Sequence, residues 1–346
     1  MNDFFPEIYG NLALKEHIGQ SIRDGRILHS YLIEGGNGSG KMMLAKQFAA
    51  ALSCTSTRSG DVAIPCGKCN MCRKILSGEC TDVTVIDRGT KATISVDAIR
   101  EMKRDVYLAP NEADWKIYII DGAEFMTAGA QNALLKILEE PPRNVVIFLL
   151  CERADSLLIT VRSRAQILKT ERFSQEDLTK FLCEKDNRAR TMSVTAPDRF
   201  SALLVSANGC IGRALELLES KTLDSLIQMH AVIVEVLRAA SPKEQYTRMY
   251  SAIAAFPTTR QELADTLSLF MLAIRDLVVV RRTDNAPLCF FENRGTAMVI
   301  SESMNLKTII NMGDIASRAC TSVLSNANIA LVLSDLGVEL REAMNH

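Results

Sequence analysis

The chain has 346 residues, an apolar fraction of 47%, a charged fraction of 23% and a formal net charge of −1. That length leaves room for two or three domains, and the composition is that of a globular chain. Near-neutral charge excludes a bulk polycation that clamps nucleic acid unaided, leaving only a local patch or a partner for that task. The richest apolar run, Leu267 to Val280, is broken by Arg275 and Asp276 and falls short of the roughly 18 residues a membrane span needs. Asp3 and Glu7 stand where a secretory signal would be basic and apolar, so the expected location is the cytoplasm.

After a turn-rich lead-in, a helix is predicted from about Leu12 to Asp24, with Leu14, Ile18 and Ile22 on one face. Tyr31, Leu32 and Ile33 then read as the end of a buried strand, and Met42 to Ser53 as a helix. Between them lies Gly35-Gly36-Asn37-Gly38-Ser39-Gly40-Lys41-Met42. A glycine-rich loop at a helix N-terminus offers amide N–H groups and the positive end of the helix dipole to phosphate. Gly35-x-x-x-x-Gly40-Lys41 has the phosphate-loop spacing, which places Lys41 for the outer phosphates of ATP or ADP. The pattern wants Ser or Thr next, to hold Mg²⁺, and a Met42 thioether is a poor ligand for that hard cation. The plainer reading is a glycine turn between strand and helix.

Cys54, Cys66, Cys69 and Cys72 form a cluster with C-x-x-C knuckles, the arrangement that converges four thiolates on a tetrahedral zinc. Cys80 is a rival fourth ligand. An iron–sulfur run would place its next Cys after three residues and follow it with Pro, which this chain does not. Unliganded thiols are the alternative. Four further strand-like runs follow: Asp82 to Ile86, Lys116 to Ile120, Val145 to Leu150 and Gln166 to Leu168. Helices are predicted at Val96 to Val106 and, capped by Thr127, up to Glu139 before Pro141-Pro142. Strands alternating with helices imply an α/β fold with a parallel five-stranded sheet. Asp121, ending an apolar strand, is the candidate to orient Mg²⁺ or its water. The residue after it is Gly122, where a water-polarising carboxylate would be wanted, and Glu124 reads as too far round the turn. Asp121 as a simple loop cap is the competing reading.

Beyond Thr170 the pattern is helical throughout. Ser174 to Asp177 reads as a capping box, and helices are expected near Gln175 to Cys183, Asp198 to Ala207 and Ile211 to Leu218. Longer amphipathic segments follow at Leu223 to Arg238, Pro242 to Phe256, Gln261 to Arg282 and Asn328 to Met344, with loops at 284–287 and 293–295.

Together, Arg26-Ile-Leu-His29-Ser-Tyr-Leu, the cysteine insert and Asn132-Ala-Leu-Leu-Lys-Ile-Leu-Glu-Glu-Pro-Pro142 resemble the bacterial clamp-loader subunits of the AAA+ class. Val161-Arg-Ser163-Arg164-Ala165 is similar to that family's Ser-Arg-Cys motif with Ala165 for Cys, and Asn208 to Leu215 to the start of its last lid helix. The resemblance covers residues 5 to 218. It implies a P-loop domain over 1–170 carrying the insert at about 54–80, a helical lid over 171–220 and an all-α oligomerisation collar over 221–346. It further implies a five-subunit ring with gamma/tau-type and delta-type subunits of DNA polymerase III, which opens a sliding clamp and leaves it on primed DNA. Arg164, with Ser163, would then be an arginine finger serving a neighbour's ATP site; a surface arginine paired to a local carboxylate is the plainer reading. The family's ATPase members carry Gly-Lys-Thr and Asp-Glu where this chain has Lys41-Met42 and Asp121-Gly122, so a subunit with no ATPase of its own is expected. Cys151-Glu152-Arg153 also stands where the family's sensor Thr would be, and Arg213 is one position off its lid Arg. Alternatives are an ATP-hydrolysing clamp-loader subunit, a stand-alone P-loop kinase or ATPase, and a zinc module that binds nucleic acid.

Overall fold

Val145–Cys151 is buried at every position, as a strand covered on both faces must be, and it lies at the centre of the sheet. In the computed structural model, which describes residues 4–55, 64–219, 222–239, 246–283, 286, 288–291, 293–325 and 327–344, the residues fall into two compact units. The first comprises Met1–Phe173 with Cys210–Arg213, and the second Ser174–Gly209 with Ala214–His346. Residues 171–173 and 210–213 of the lid that the resemblance implies fall in the first unit, and the rest of it falls with the expected collar in the second.

The first unit is built on β1 (Ser30–Glu34), β2 (Val83–Ile86), β3 (Lys116–Asp121), β4 (Val145–Cys151) and β5 (Gln166–Lys169). They form one parallel sheet in the order β2-β3-β4-β1-β5, with Ser30 beside Ile147 and Tyr31 beside Gln166. Helices α1 (Leu12–Arg23) and α2 (Lys41–Leu52) are joined by α3 (Asn70–Ser77), a helix inside the cysteine insert that sequence periodicity missed. Their apolar residues and one sheet face enclose Tyr31, Phe48 and Phe148, whose ring centres lie 4.9–5.6 Å apart. On the other face α4 (Val96–Asp105) and α5 (Ala128–Glu139) cover Leu32, Tyr118, Ile120, Ile147 and Leu149. Ser95 and Thr127 cap these helices through the amides of Ala98 and Ala130, as expected for Thr127. Asp82, read as the first residue of a strand, instead buries its carboxylate before β2 and accepts the amides of Asn111, Glu112 and Ala113 at 2.7–2.8 Å.

The second unit is helical among the described residues. The expected helices are present at Gln175–Lys185, Pro197–Ala207, Thr222–Ala239, Arg260–Arg282 and Ile329–Met344. Tyr246–Ala254 is the described part of the segment read from Pro242, and 242–245, 284, 285 and 287 lie outside the described residues. Three helices went unread: Asn187–Thr195, Arg294–Glu302 and Leu306–Leu324, the last two capped by Asn293 and Asn305. Among the described residues no helix is long and apolar enough to cross a membrane.

Candidate functional site

The loop Gly35 to Gly40 runs from the carboxyl end of β1 to the first residue of α2, the position the sequence gives it. Gly38 and Gly40 have φ of 72° and 86°, and a side chain on Gly35 would meet Thr170 Oγ1 at 1.9 Å. The loop therefore needs its glycines. Lys41 Nζ donates to the carbonyls of Gly35 at 2.7 Å and Gly36 at 2.9 Å. The tip is covered by residues 210–213: the Gly212 amide donates to Gly38 O at 2.9 Å, and a Cβ on Gly38 would lie 2.2 Å from Arg213 N. Arg213 thus meets the loop through its backbone. Met42 is half-buried and packs against the apolar cluster under α2.

Asp121 ends β3, in register with Leu150. Gly122 follows at φ 70°, and a Cβ there would meet Phe125 Cδ2 at 2.7 Å. A carboxylate residue at 122 would strain both backbone and packing. Glu124 turns inward: Oε1 accepts the Glu152 amide at 3.1 Å while Oε2 is buried with no hydrogen-bond partner among the described residues. Burial pushes its carboxyl pKa up, the amides of Glu124 and Glu152 and the charge of Lys41 oppose this, and the net direction is upward. After β4, Arg153 forks onto Asp155 through Nε at 3.1 Å and Nη2, in the stretch where the sensor Thr is absent.

The four predicted cysteines meet. Sγ atoms of Cys54, Cys66, Cys69 and Cys72 all lie within 4.8 Å of one another, with Cys66 and Cys72 4.0 Å apart. Zinc–sulfur bonds of about 2.3 Å in a tetrahedron put sulfurs roughly 3.8 Å apart, close to this spacing. Amides of Cys66, Cys69 and Cys72 each donate to a sulfur of the set at 3.4 Å, the second layer that thiolates require. Burial raises the Cys69 thiol, but amides of Thr55 and Cys72 outweigh it and leave its pKa below the ordinary value. Burial, with the Cys69 hydrogen bond, pushes the Cys72 thiol up. The donor set fits a closed four-thiolate metal site with no open position. Cys80 is buried but stands outside the four-sulfur group.

Arg164 follows the short helix α6 (Ile159–Arg162) and precedes β5. Its Nη2 pairs with Glu139 Oε1 at 2.8 Å, and Nη1 donates to Thr160 O at 2.8 Å and Ser163 Oγ at 3.4 Å. The side chain is 35% exposed. A local carboxylate partner is therefore present, and both terminal nitrogens of the fork have acceptors.

Residues 10–174 match the family model described as "DNA polymerase III, delta subunit". The chain is 32% identical over 215 residues to DNA polymerase III subunit gamma of Buchnera aphidicola (strain Sg), covering 62% of this chain and 57% of that one. It is 34% identical over 163 residues to DNA polymerase III subunit tau of Escherichia coli K12, covering 46% of this chain and 25% of that protein. The chain thus spans a quarter to just over half of these relatives. A crystal structure of a gamma subunit-related protein from Thermotoga maritima covers 95% of this chain at 19% identity and TM-score 0.43, with 99% of that chain covered. Residues 10–174 are thus similar to the DNA polymerase III delta-subunit family model, and the chain is similar to gamma and tau subunits of DNA polymerase III.

Proposed function

We propose that the chain is the delta prime subunit of the DNA polymerase III clamp loader, a ring member that does not hydrolyse ATP itself. It works in the cytoplasm with gamma/tau-type and delta-type subunits to open the sliding clamp and place it on primed DNA. The observation that supports this reading over a motor subunit is a pair of residues. Met42, in the position of the Mg²⁺-binding hydroxyl, is half-buried against the apolar cluster under α2, and Gly122, in the position of the water-polarising carboxylate, could carry a side chain only if the Phe125 ring moved. Neither position offers an oxygen to metal or water. Lys41, the loop amides and Asp121 remain as a cradle that binds ATP or ADP weakly. Arg164, positioned by Ser163 and its neighbours, serves the nucleotide of the adjacent subunit. Zinc on Cys54, Cys66, Cys69 and Cys72 is structural and fixes the insert that carries α3 to the domain.

The similarity to gamma and tau favours one second reading, an ATP-hydrolysing subunit of the same family. Native mass measurement of the chain mixed with the other clamp-loader subunits of its cell separates the two, together with ATP turnover of the isolated chain. A hetero-oligomer containing one copy of an inactive chain is expected. Robust Mg²⁺-dependent turnover abolished by Lys41→Ala would return the chain to the motor class, and failure to enter any ring would leave a stand-alone P-loop protein.

A further inference from the structure

Glu139 is the last residue of α5, just ahead of Glu140-Pro141-Pro142, and its carboxylate reaches the guanidinium of Arg164. The two terminal nitrogens of that guanidinium are held from different elements: Nη2 by Glu139 Oε1 at 2.8 Å, Nη1 by Thr160 O at 2.8 Å. The backbone beneath is fixed as well, since Arg164 N donates to Val161 O at 3.1 Å and Arg164 O accepts from Ser30 Oγ at 2.6 Å. Two anchors on a planar, rigid group set its position and its plane together. A guanidinium has five N–H donors, so contacts to Glu139, Thr160 and Ser163 still leave at least two for an outside acceptor. Glu139 is itself 48% exposed, and an ion pair that open adds little to folding stability. Its effect is therefore on where the arginine points.

We infer that Glu139 is the positioning residue for Arg164, holding the fork in the orientation in which it meets a phosphoryl group on a neighbouring subunit. The inference rests on the reading of Arg164 as a finger. The same carboxylate also keeps the fork ordered in the free chain, so that no ordering is required at the moment of phosphoryl transfer.

The test uses the assembled complex, with Arg164→Ala, Glu139→Ala, Glu139→Gln and the double variant Glu139→Ala/Arg164→Ala, reading kcat and KM for ATP. Guanidinium nitrogen signals of Arg164 are followed by NMR in the isolated full chain. At the one nucleotide site that Arg164 serves, Glu139→Ala is expected to lower kcat roughly ten- to hundredfold with KM unchanged, the penalty typical of a misplaced catalytic group. Glu139→Gln should recover most of that, because an amide oxygen still accepts from Nη2. The double variant should be no slower than Arg164→Ala alone, and the restrained Nη2 signal should become that of a freely rotating group in Glu139→Ala. An effect of Arg164→Ala with none of Glu139→Ala would overturn the positioning role alone. Full rate in Arg164→Ala would overturn the finger reading and this inference with it. Mobile Nη signals in the unaltered chain, or an equal loss from Glu139→Ala in the Arg164→Ala background, would also overturn it.

Discussion

The amide of Gly212 donates to the carbonyl of Gly38 at 2.9 Å, so the tip of the phosphate loop and residues 210–213 meet backbone to backbone. An approach that close leaves no space for a side chain: a Cβ on Gly212 would lie 2.8 Å from Gly38 O and 3.2 Å from its Cα. Gly212→Ala is therefore expected to force the two backbones apart and destabilise the unit by about 1–3 kcal/mol, as overpacking does. Urea unfolding checks this through a lower midpoint at unchanged slope. An unaltered midpoint would mean the contact yields freely.

Hydrolysis should be negligible for the isolated chain, and repairing one position should not restore it. Met42→Thr returns a hydroxyl next to Lys41, but position 122 still lacks a carboxylate, and Gly122→Glu must fit a side chain at φ 70° against Phe125. Phosphate release from Mg²⁺-ATP should stay at background for Met42→Thr. Turnover in that variant would show that Glu124 or Asp121 suffices to activate water.

Metal analysis of purified chain is expected to give about one zinc per molecule, as one closed four-ligand site requires. Replacing Cys69 and Cys72 by Ser should remove it and lower the melting temperature, because metal binding is coupled to folding. Acid should release the metal, since the ligands are thiolates and protons compete for them. Retained zinc in the double variant would shift the site to other donors.

Asp82 offers a pH test. Burial alone would raise its pKa, but the amides of Ala113, Asn111 and Glu112 and the charge of Lys116 outweigh it, and the net direction is downward. A carboxylate held below its unfolded value of about 3.9 contributes stability that is complete above that pH and is lost as pH falls through the folded value. Asp82→Asn should cost about 2–4 kcal/mol at neutral pH, because charged acceptors to buried amides are strong and their loss leaves donors unpaired. Its stability should also fall less than that of the parent chain below about pH 4. Parallel curves of stability against pH would remove Asp82 from the account.

The parts of the molecule governed by local chemistry were legible in the sequence. The run Val145 to Leu150 has no polar residue and could only be a strand covered on both faces, and the Gly35 to Lys41 spacing and C-x-x-C knuckles carry their geometry within a few residues. Asp82 was not legible, because its partners stand 29–31 residues further on. Glu124 was missed because counting positions does not foresee the single 3₁₀ turn Ala123–Phe125 that swings its side chain inward. The helix Asn187–Thr195 buries only Ala189, so it has no apolar stripe to read. Leu306–Leu324 does carry one, with Ile309, Met312, Ala316, Ala319 and Val323 inward and Asn305 as cap.

Arg164→Lys distinguishes a fork from a charge. The arginine makes contacts through both Nη groups and remains 35% exposed. Arginine fingers contribute on the order of 10³–10⁵ in rate to phosphoryl transfer, through planar donors directed at the charge on the transferring group. Arg164→Ala should therefore leave folding stability within about 0.5 kcal/mol, as a surface substitution does, and leave ring assembly intact. ATP hydrolysis by the assembled, clamp-stimulated complex should drop at the one site it serves. Lysine keeps the positive charge but offers a single rotating ammonium, which cannot bridge Glu139 and Thr160 while also presenting a planar pair of donors. It should recover little of the rate. Full clamp-loading and ATPase rates in Arg164→Lys would reduce the role to charge alone, and full rates in Arg164→Ala would leave the Glu139 ion pair as the whole of its function.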